Sequence, residues 1–297
     1  MVLFDIVFSK KLESTNLNEG EFEVWSDIYK GDIKADLAIY GSSRAWVHFN
    51  PEILKNRTGL NTYNFGVDGQ NFDIQYLRHQ EYFENNIKPK LIVFSLDVFT
   101  FEKKDKLYNS DQFLPYMFQN SRYFNTLIET ENFNLYDFIL PSVRYFGKYE
   151  ILYKVSESNA FPKFRQKGFR GNKRSWVENQ DRALENDSKY TVKIDFNLIS
   201  KFKKTIKELK KQGVKLIFVY TPEYVKGQDF VQNREKIFEI YRMLSESEKI
   251  PFWDYSQDSI SFEKQLFYNS EHLNDFGATI FSKKFSKDLL THLYNKV

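Results

Sequence analysis

Leu37-Ala38-Ile39-Tyr40-Gly41-Ser42-Ser43 is the stretch that decides how this chain is read. Four apolar residues in a row, ended by a glycine and two serines, are the pattern of a short strand buried on both faces. Lys34-Ala35-Asp36 opens it, so the strand is expected over about 36–41. Where such a strand turns into a helix, Ser43 can project from the rim of a sheet, and its own N–H, near the helix start, can stabilise an oxyanion. Alone, the Gly-Ser-Ser triplet is what a turn needs for its own hydrogen bonds. A functional role requires a partner from elsewhere.

The candidate partner lies near the other end, in Tyr268-Asn269-Ser270-Glu271-His272-Leu273-Asn274. Asn274 or Asp275 is a natural N-cap, and the amphipathic run Asp275 to Tyr294 reads as the closing helix. A histidine in a polar loop before a packed helix is either a surface histidine or a general base. If it reaches the serine it can take its proton, which hydroxyl nucleophile catalysis requires. His48, His79 and His292 are read as structural.

The chain between the two alternates strands and helices. Asn50-Pro51-Glu52 starts a short helix with Pro at its first position. Thr62 to Phe65 is a strand that ends in Gly66-Val67-Asp68-Gly69, and Asp73 to Asn85 is a helix. Leu91-Ile92-Val93-Phe94 and Val214 to Tyr220 are buried strands. Ile199, Phe202, Ile206 and Leu209 form a helical stripe stopped at Gly213, and Ile237, Ile240, Tyr241 and Leu244 mark another helix. Ile250 to Asp254 is a last short strand. This alternation predicts a parallel sheet covered on both faces, which binds ligands beyond the carboxyl ends of its strands. Gly41–Ser43, Gly66–Gly69, Asp97 and Thr221-Pro222-Glu223 all fall at those ends. Gly69 either provides a turn with positive φ or offers its N–H as a second oxyanion donor. Residues 1–34 read as a polar lead-in anchored by Trp25 and Tyr29. Residues 35–297 read as one domain with a long irregular insertion at about 100–190.

Composition narrows the function. A net charge of +3 is too small for the basic face that nucleic-acid binding needs. No cysteine means no disulfide, zinc-thiolate site or thiol catalysis. No P-loop, dinucleotide fingerprint or metal-ligand cluster is present, so no cofactor or metal is expected. The apolar stretch Val2 to Phe8 falls far short of the roughly 20 residues of a spanning helix. With Lys10-Lys11 behind it, it reads either as ordinary local structure or as the tail of an anchor lying upstream. Inside the insertion Lys163, Arg165, Lys167, Arg170, Lys173 and Arg174 run with Phe161, Phe164, Phe169 and Trp176, and no acid lies between 163 and 174. That run is either a solvated loop or a site for an acidic glycan or anionic lipid surface.

Gly41-Ser42-Ser43, Asn64 to Gly69 and the motif ending His272-Leu273-Asn274 together resemble the blocks of the SGNH/GDSL hydrolase superfamily. The likeness is closest to its branch of membrane-linked proteins that modify bacterial cell-surface polysaccharide and teichoic acid. It covers about 35–100 and 195–297 but not the insertion. The resemblance implies a flavodoxin-like three-layer α/β/α sandwich with a central parallel sheet. It implies Ser43 as nucleophile, His272 as base, and the N–H groups of Ser43 and Gly69 as the oxyanion hole. Ser42, Arg44, Asn64, Asp97 and Glu271 would form the rim. The implied reaction is ester hydrolysis or O-acyl transfer, on an acyl ester, acetyl foremost, of a surface polysaccharide. A membrane acyltransferase is the implied partner, outside the cytoplasm; a cytoplasmic esterase is the remaining alternative. Three positions depart from the pattern. Ser42 stands where the family has Asp, Phe94-Ser95-Leu96-Asp97 lacks the third-block Asn, and Asn269 replaces the acid three residues before the histidine. Asp254, Asp258 or Glu271 can substitute for that acid. The alternative function is a catalytically degenerate domain that binds glycan or a membrane partner.

Overall fold

The computed structural model describes residues 1–157, 161–176 and 189–294. Its centre is a five-stranded sheet of β1 (Leu37–Gly41), β2 (Thr62–Asn64), β3 (Leu91–Leu96), β4 (Lys215–Tyr220) and β5 (Phe252–Asp254). All neighbours pair in parallel, in the order β2-β1-β3-β4-β5. Ile39 stands beside Val93, and Val93 beside Ile217, so β1, β3 and β4 present a continuous apolar row.

The helices are α1 (Val2–Glu13), α2 (Leu17–Lys30), α3 (Ser43–His48), α4 (Pro51–Thr58), α5 (Phe72–Asn85), α6 (Ser121–Leu127), α7 (Leu135–Ile139), α8 (Tyr149–Glu157), α9 (Phe196–Lys211), α10 (Arg234–Glu248) and α11 (Asp275–Tyr294). Strand side chains alternate between faces. Leu37 and Ile39 join a core with Leu54 of α4 and Phe281, Phe285 and Leu289 of α11. Ala38 and Tyr40 join the opposite core with Trp25, Leu77, Phe202 and Tyr241 of α2, α5, α9 and α10. The protein is therefore a three-layer α/β/α domain. The strand order reverses beside β1, which opens a crevice at its carboxyl end.

Two parts are more ordered than the sequence suggests. Residues 1–34 are not a polar lead-in but carry α1 and α2. Phe22, Trp25 and Ile28 recur at helical spacing and are fully buried. The insertion is not an irregular excursion either. Its Phe113, Met117, Tyr123, Phe138 and Tyr145 enter the same core as α2 and α5. Its aromatic residues are spaced along short helices and turns, which hid the helical period. Buried Arg144 grips Asp5 of α1 with two hydrogen bonds of 2.7 and 2.6 Å.

Candidate active site

The β1–α3 turn is built to separate two adjacent serines. Gly41 has φ 149°, and a Cβ there would lie 2.6 Å from the Ser95 carbonyl oxygen and 2.8 Å from the Ala45 Cβ. Ser42 caps α3: its Oγ accepts from the Arg44 N–H and donates to the buried carboxylate of Asp97. That bond turns Ser42 inward. Ser43, the first helical residue, places its Oγ 2.8 Å from Nε2 of His272. Gly66 lets the second loop lie directly on α3, because a Cβ there would meet Trp46 Cα at 2.8 Å and the Ser42 carbonyl at 2.9 Å.

The tautomer of His272 follows from its neighbours. Oδ1 of Asn269 accepts the backbone N–H groups of Glu271 at 3.1 Å and His272 at 2.8 Å. Those donors fix which end of the amide faces the ring. The same oxygen lies 2.9 Å from Nδ1 of His272. An acceptor there requires the proton on Nδ1, which leaves the Nε2 lone pair facing Ser43. The Tyr268 ring stacks on the imidazole at 5.4 Å and 11°.

A buried polar layer lies beneath the pair. Leu273 N–H donates to Nε2 of His48 at 3.0 Å, so His48 carries its proton on Nδ1, 2.8 Å from Thr221 Oγ1. His48 thus holds the backbone next to His272. Arg44 lies over the Tyr220 ring at 4.3 Å, donates to the Thr221 carbonyl and pairs with Glu223 at 3.2 Å. Burial opposes the Arg44 charge, but Tyr220, Glu223 and Asp97 raise its pKa. Burial, then that guanidinium, push His272 down to about 3. Burial, Arg44 and His272 hold His48 well below the usual imidazole range. The site is set to keep both imidazoles neutral.

The N–H groups of Ser43 and of Gly69, in the loop after β2, have no hydrogen-bond partner among the described residues. Gly69 has φ 66°, reserved for glycine here because a Cβ would lie 2.9 Å from the Tyr108 ring. The loop carrying it is held by Glu21 of α2, which is completely buried. Its carboxylate accepts the Asp68 N–H at 2.8 Å and pairs with Arg78 at 2.6 Å and Arg165 at 2.8 Å. Both arginines also donate to the Gly66 carbonyl, at 3.1 and 3.3 Å. Burial, then Glu21, push Asp68 up to about 7.

Several expected rim residues lie elsewhere. Ser42, Arg44 and Asp97 are buried under the site, because each finds its charge or hydrogen-bond partner there. Asn64 is fully buried and braces α3, its amide donating to the carbonyls of Ala45 at 2.8 Å and Phe49 at 3.0 Å. Asp254 and Asp258 do not serve His272: Asp254 accepts the Ser256 N–H, and Asp258 accepts that of Ile260 and pairs with Lys284. Glu271 donates its N–H to Asn269 beside the site. In the basic run, Arg165 is no surface cation, since Glu21 neutralises it in the core, and Lys167 pairs with Glu52 at 2.8 Å. Lys163 lines a separate cleft with Lys30 and Asp32, and Trp176 packs against Tyr224 at 5.2 Å. Glu21 and Tyr268 were given no role by the sequence; His48, read as structural, braces the site together with Thr221, which was read only as a rim position. Only Glu21 carries a signal: it falls on the apolar stripe of Val24, Trp25 and Ile28, where an acid must find a partner.

What fold and site define together is a class: a parallel α/β domain with a hydrogen-bonded serine–histidine–amide row at the carboxyl edge of its sheet. No family model matches the chain, and no curated protein matches it. Among solved structures it is similar to an acetyl xylan esterase, at 12% identity over 84% of this chain and 98% of that one, TM-score 0.42. It is also similar to a GDSL-like lipase from Bacteroides thetaiotaomicron VPI-5482, at 13% identity over 91% and 98%, TM-score 0.41.

Proposed function

We propose that this protein is a serine esterase or O-acyltransferase acting on acyl esters, acetyl foremost, of a cell-surface polysaccharide. One observation carries the reading: Ser43 Oγ lies 2.8 Å from the unprotonated nitrogen of a histidine whose tautomer Asn269 locks. Ser43 Oγ attacks the acyl carbon as its proton passes to Nε2 of His272. The carbonyl oxygen becomes an oxyanion facing the free N–H groups of Ser43 and Gly69. Collapse breaks the ester C–O bond, and the departing alcohol takes the proton from His272. Water, or a sugar hydroxyl, then attacks the acyl-serine by the same proton path reversed, giving acid or a new ester.

A second reading is a degenerate domain that binds glycan or a membrane partner. It is favoured by the amide at Asn269 and by Arg44, both of which leave an imidazolium poorly supported. Fluorophosphonate labelling read by intact mass separates the two. The wild type is expected to take one adduct and Ser43→Ala none. A folded wild type that takes no adduct at millimolar reagent turns the conclusion to the binding domain.

We further propose that the domain works against a membrane, on its outer side. Among the described residues no helix is long and apolar enough to cross one. The support lies in α1, where Val2, Leu3, Phe4, Ile6 and Val7 are all exposed, followed by Lys10 and Lys11. Exposed apolar side chains beside a lysine pair suit the boundary of an anionic bilayer. Co-sedimentation with phosphatidylglycerol vesicles is expected to fall about tenfold in Leu3→Glu/Val7→Glu. Equal sedimentation of the two proteins would overturn the assignment.

A further inference from the structure

Beside the Ser43–His272 pair lies a cleft of about 640 Å³, lined by Trp46, Val47, Phe164, Arg170, Lys173 and Arg174. It is tied to the elements that carry the pair. Trp46 and Val47 sit one turn beyond Ser43 on α3. The Asn172 carbonyl accepts the Asp275 N–H at 2.8 Å, three residues past His272. Arg174 acts on Tyr268, whose ring stacks on His272.

The cleft is held in shape before any ligand arrives. The Lys167 carbonyl accepts the Asn64 N–H of β2 at 2.9 Å, and Gln166 pairs with Phe169. Gly171 packs so closely on the Asp275 carboxylate that a Cβ has no room. Arg174 N–H donates to Asn172 Oδ1 at 3.0 Å. A preformed site loses less ordering entropy on binding.

Its charge is local rather than a property of the whole chain, whose net charge is only +3. The basic segment sorts its cations. Arg165 and Lys167 are neutralised by Glu21 and Glu52. Arg170, Lys173 and Arg174 have no ion-pair partner among the described residues. Glu19 is the one acid lining the cleft among the described residues. The Arg170 guanidinium carbon lies 3.3 Å from the centre of the Phe164 ring, a cation–π contact that restrains the side chain without neutralising its charge.

We propose that this cleft binds an anionic substituent, phosphate or carboxylate, on the alcohol part of the ester that Ser43 attacks. The substrate is then an acidic glycan or its acidic building block, not a neutral one. This rests on the esterase reading above. The test compares kcat/KM for three soluble esters: acetylated methyl glucoside, the same acetate bearing a 6-phosphate, and acetylated methyl glucuronoside. At least one anionic ester is expected to exceed the neutral one by about 10- to 100-fold at low salt, the range of a few charge-assisted hydrogen bonds. That preference is expected to fall towards unity in Arg170→Gln/Lys173→Gln/Arg174→Gln and in 0.5 M salt. Which anion gains identifies phosphate or carboxylate. A preference within twofold of unity for both anions overturns the inference and leaves the esterase reading intact. If no ester is cleaved, calorimetry of methyl glucoside 6-phosphate and methyl glucuronoside with Ser43→Ala decides. Binding lost in the triple variant upholds the anion site without the chemistry, and absence of binding overturns it.

Discussion

Asn269→Ala is expected to lower kcat by roughly 10³- to 10⁴-fold with KM little changed, and Asn269→Asp to act in the opposite sense. In serine proteases an Asp-to-Asn change at the orienting acid costs about 10⁴ because the histidine takes the wrong tautomer. Here the amide oxygen itself faces Nδ1, held by the N–H groups of Glu271 and His272. The tautomer is already right, and truncation to Ala removes what sets it. What the amide lacks is charge. His272 sits at about 3 because burial and Arg44 disfavour the imidazolium. Its base form therefore persists as pH falls, and the acid limb of kcat/KM is expected well below the ordinary histidine value near 6.5. A carboxylate at 269 favours the charged ring, so Asn269→Asp moves that limb upward. All three groups facing the 269 oxygen are N–H donors, so a carboxylate oxygen keeps those three bonds. A stronger base with a supported cation is expected to raise turnover at pH 7 by about 10- to 100-fold. A pH–rate profile of the three proteins checks both claims. A wild-type limb near 6.5, unmoved by Asn269→Asp, would sink the electrostatic account.

Glu21→Ala is expected to destabilise the protein by about 3–5 kcal/mol, the range for breaking a buried ion pair from one side. Removing the carboxylate leaves Arg78 and Arg165 as two like charges buried together without their shared anion, Arg78 over Trp25 at 4.5 Å and Arg165 over Trp46 at 4.2 Å. It also orphans the Asp68 N–H. For a chain of this size the midpoint of thermal unfolding should fall by about 5–8 °C. The loop from Gly66 to Gly69 loses its support at the same time, so kcat should fall more than KM rises in the protein that remains folded. Glu21→Gln keeps the bond to Asp68 and the packing, and should lie between the two. Paired urea and thermal melts give the measurement. A midpoint within 2 °C of wild type would mean that the arginines find other partners.

Several features are legible from local sequence. The strands near 37, 91 and 215 announce themselves as apolar runs ended by turn residues, and α11 by its cap and helical spacing. Such patterns depend only on residues within one or two turns of chain. α1 and α2 were missed because Asn18 to Gly20, in the first turn of α2, take left-handed φ values that interrupt the helical period there. The helices of the insertion were missed because each is too short to display a period. Ser43 and His272 are legible as candidates on one rim, since strand order brings the carboxyl ends together.

From the sequence alone one obtains the parallel α/β architecture, the position of the rim and the residue types able to do hydroxyl chemistry there. Only the tertiary structure decides that Ser43 rather than Ser42 faces His272, a contact across 229 positions, while Ser42 turns to Asp97. It alone decides that Asn269 presents oxygen rather than nitrogen to the ring. It alone divides one basic run into Arg165, buried on Glu21, and Arg170, Lys173 and Arg174, left in the cleft. The reason is physical. Apolar periodicity is a property of neighbours along the chain. A charge or a proton answers to whatever lies within a few ångströms in space.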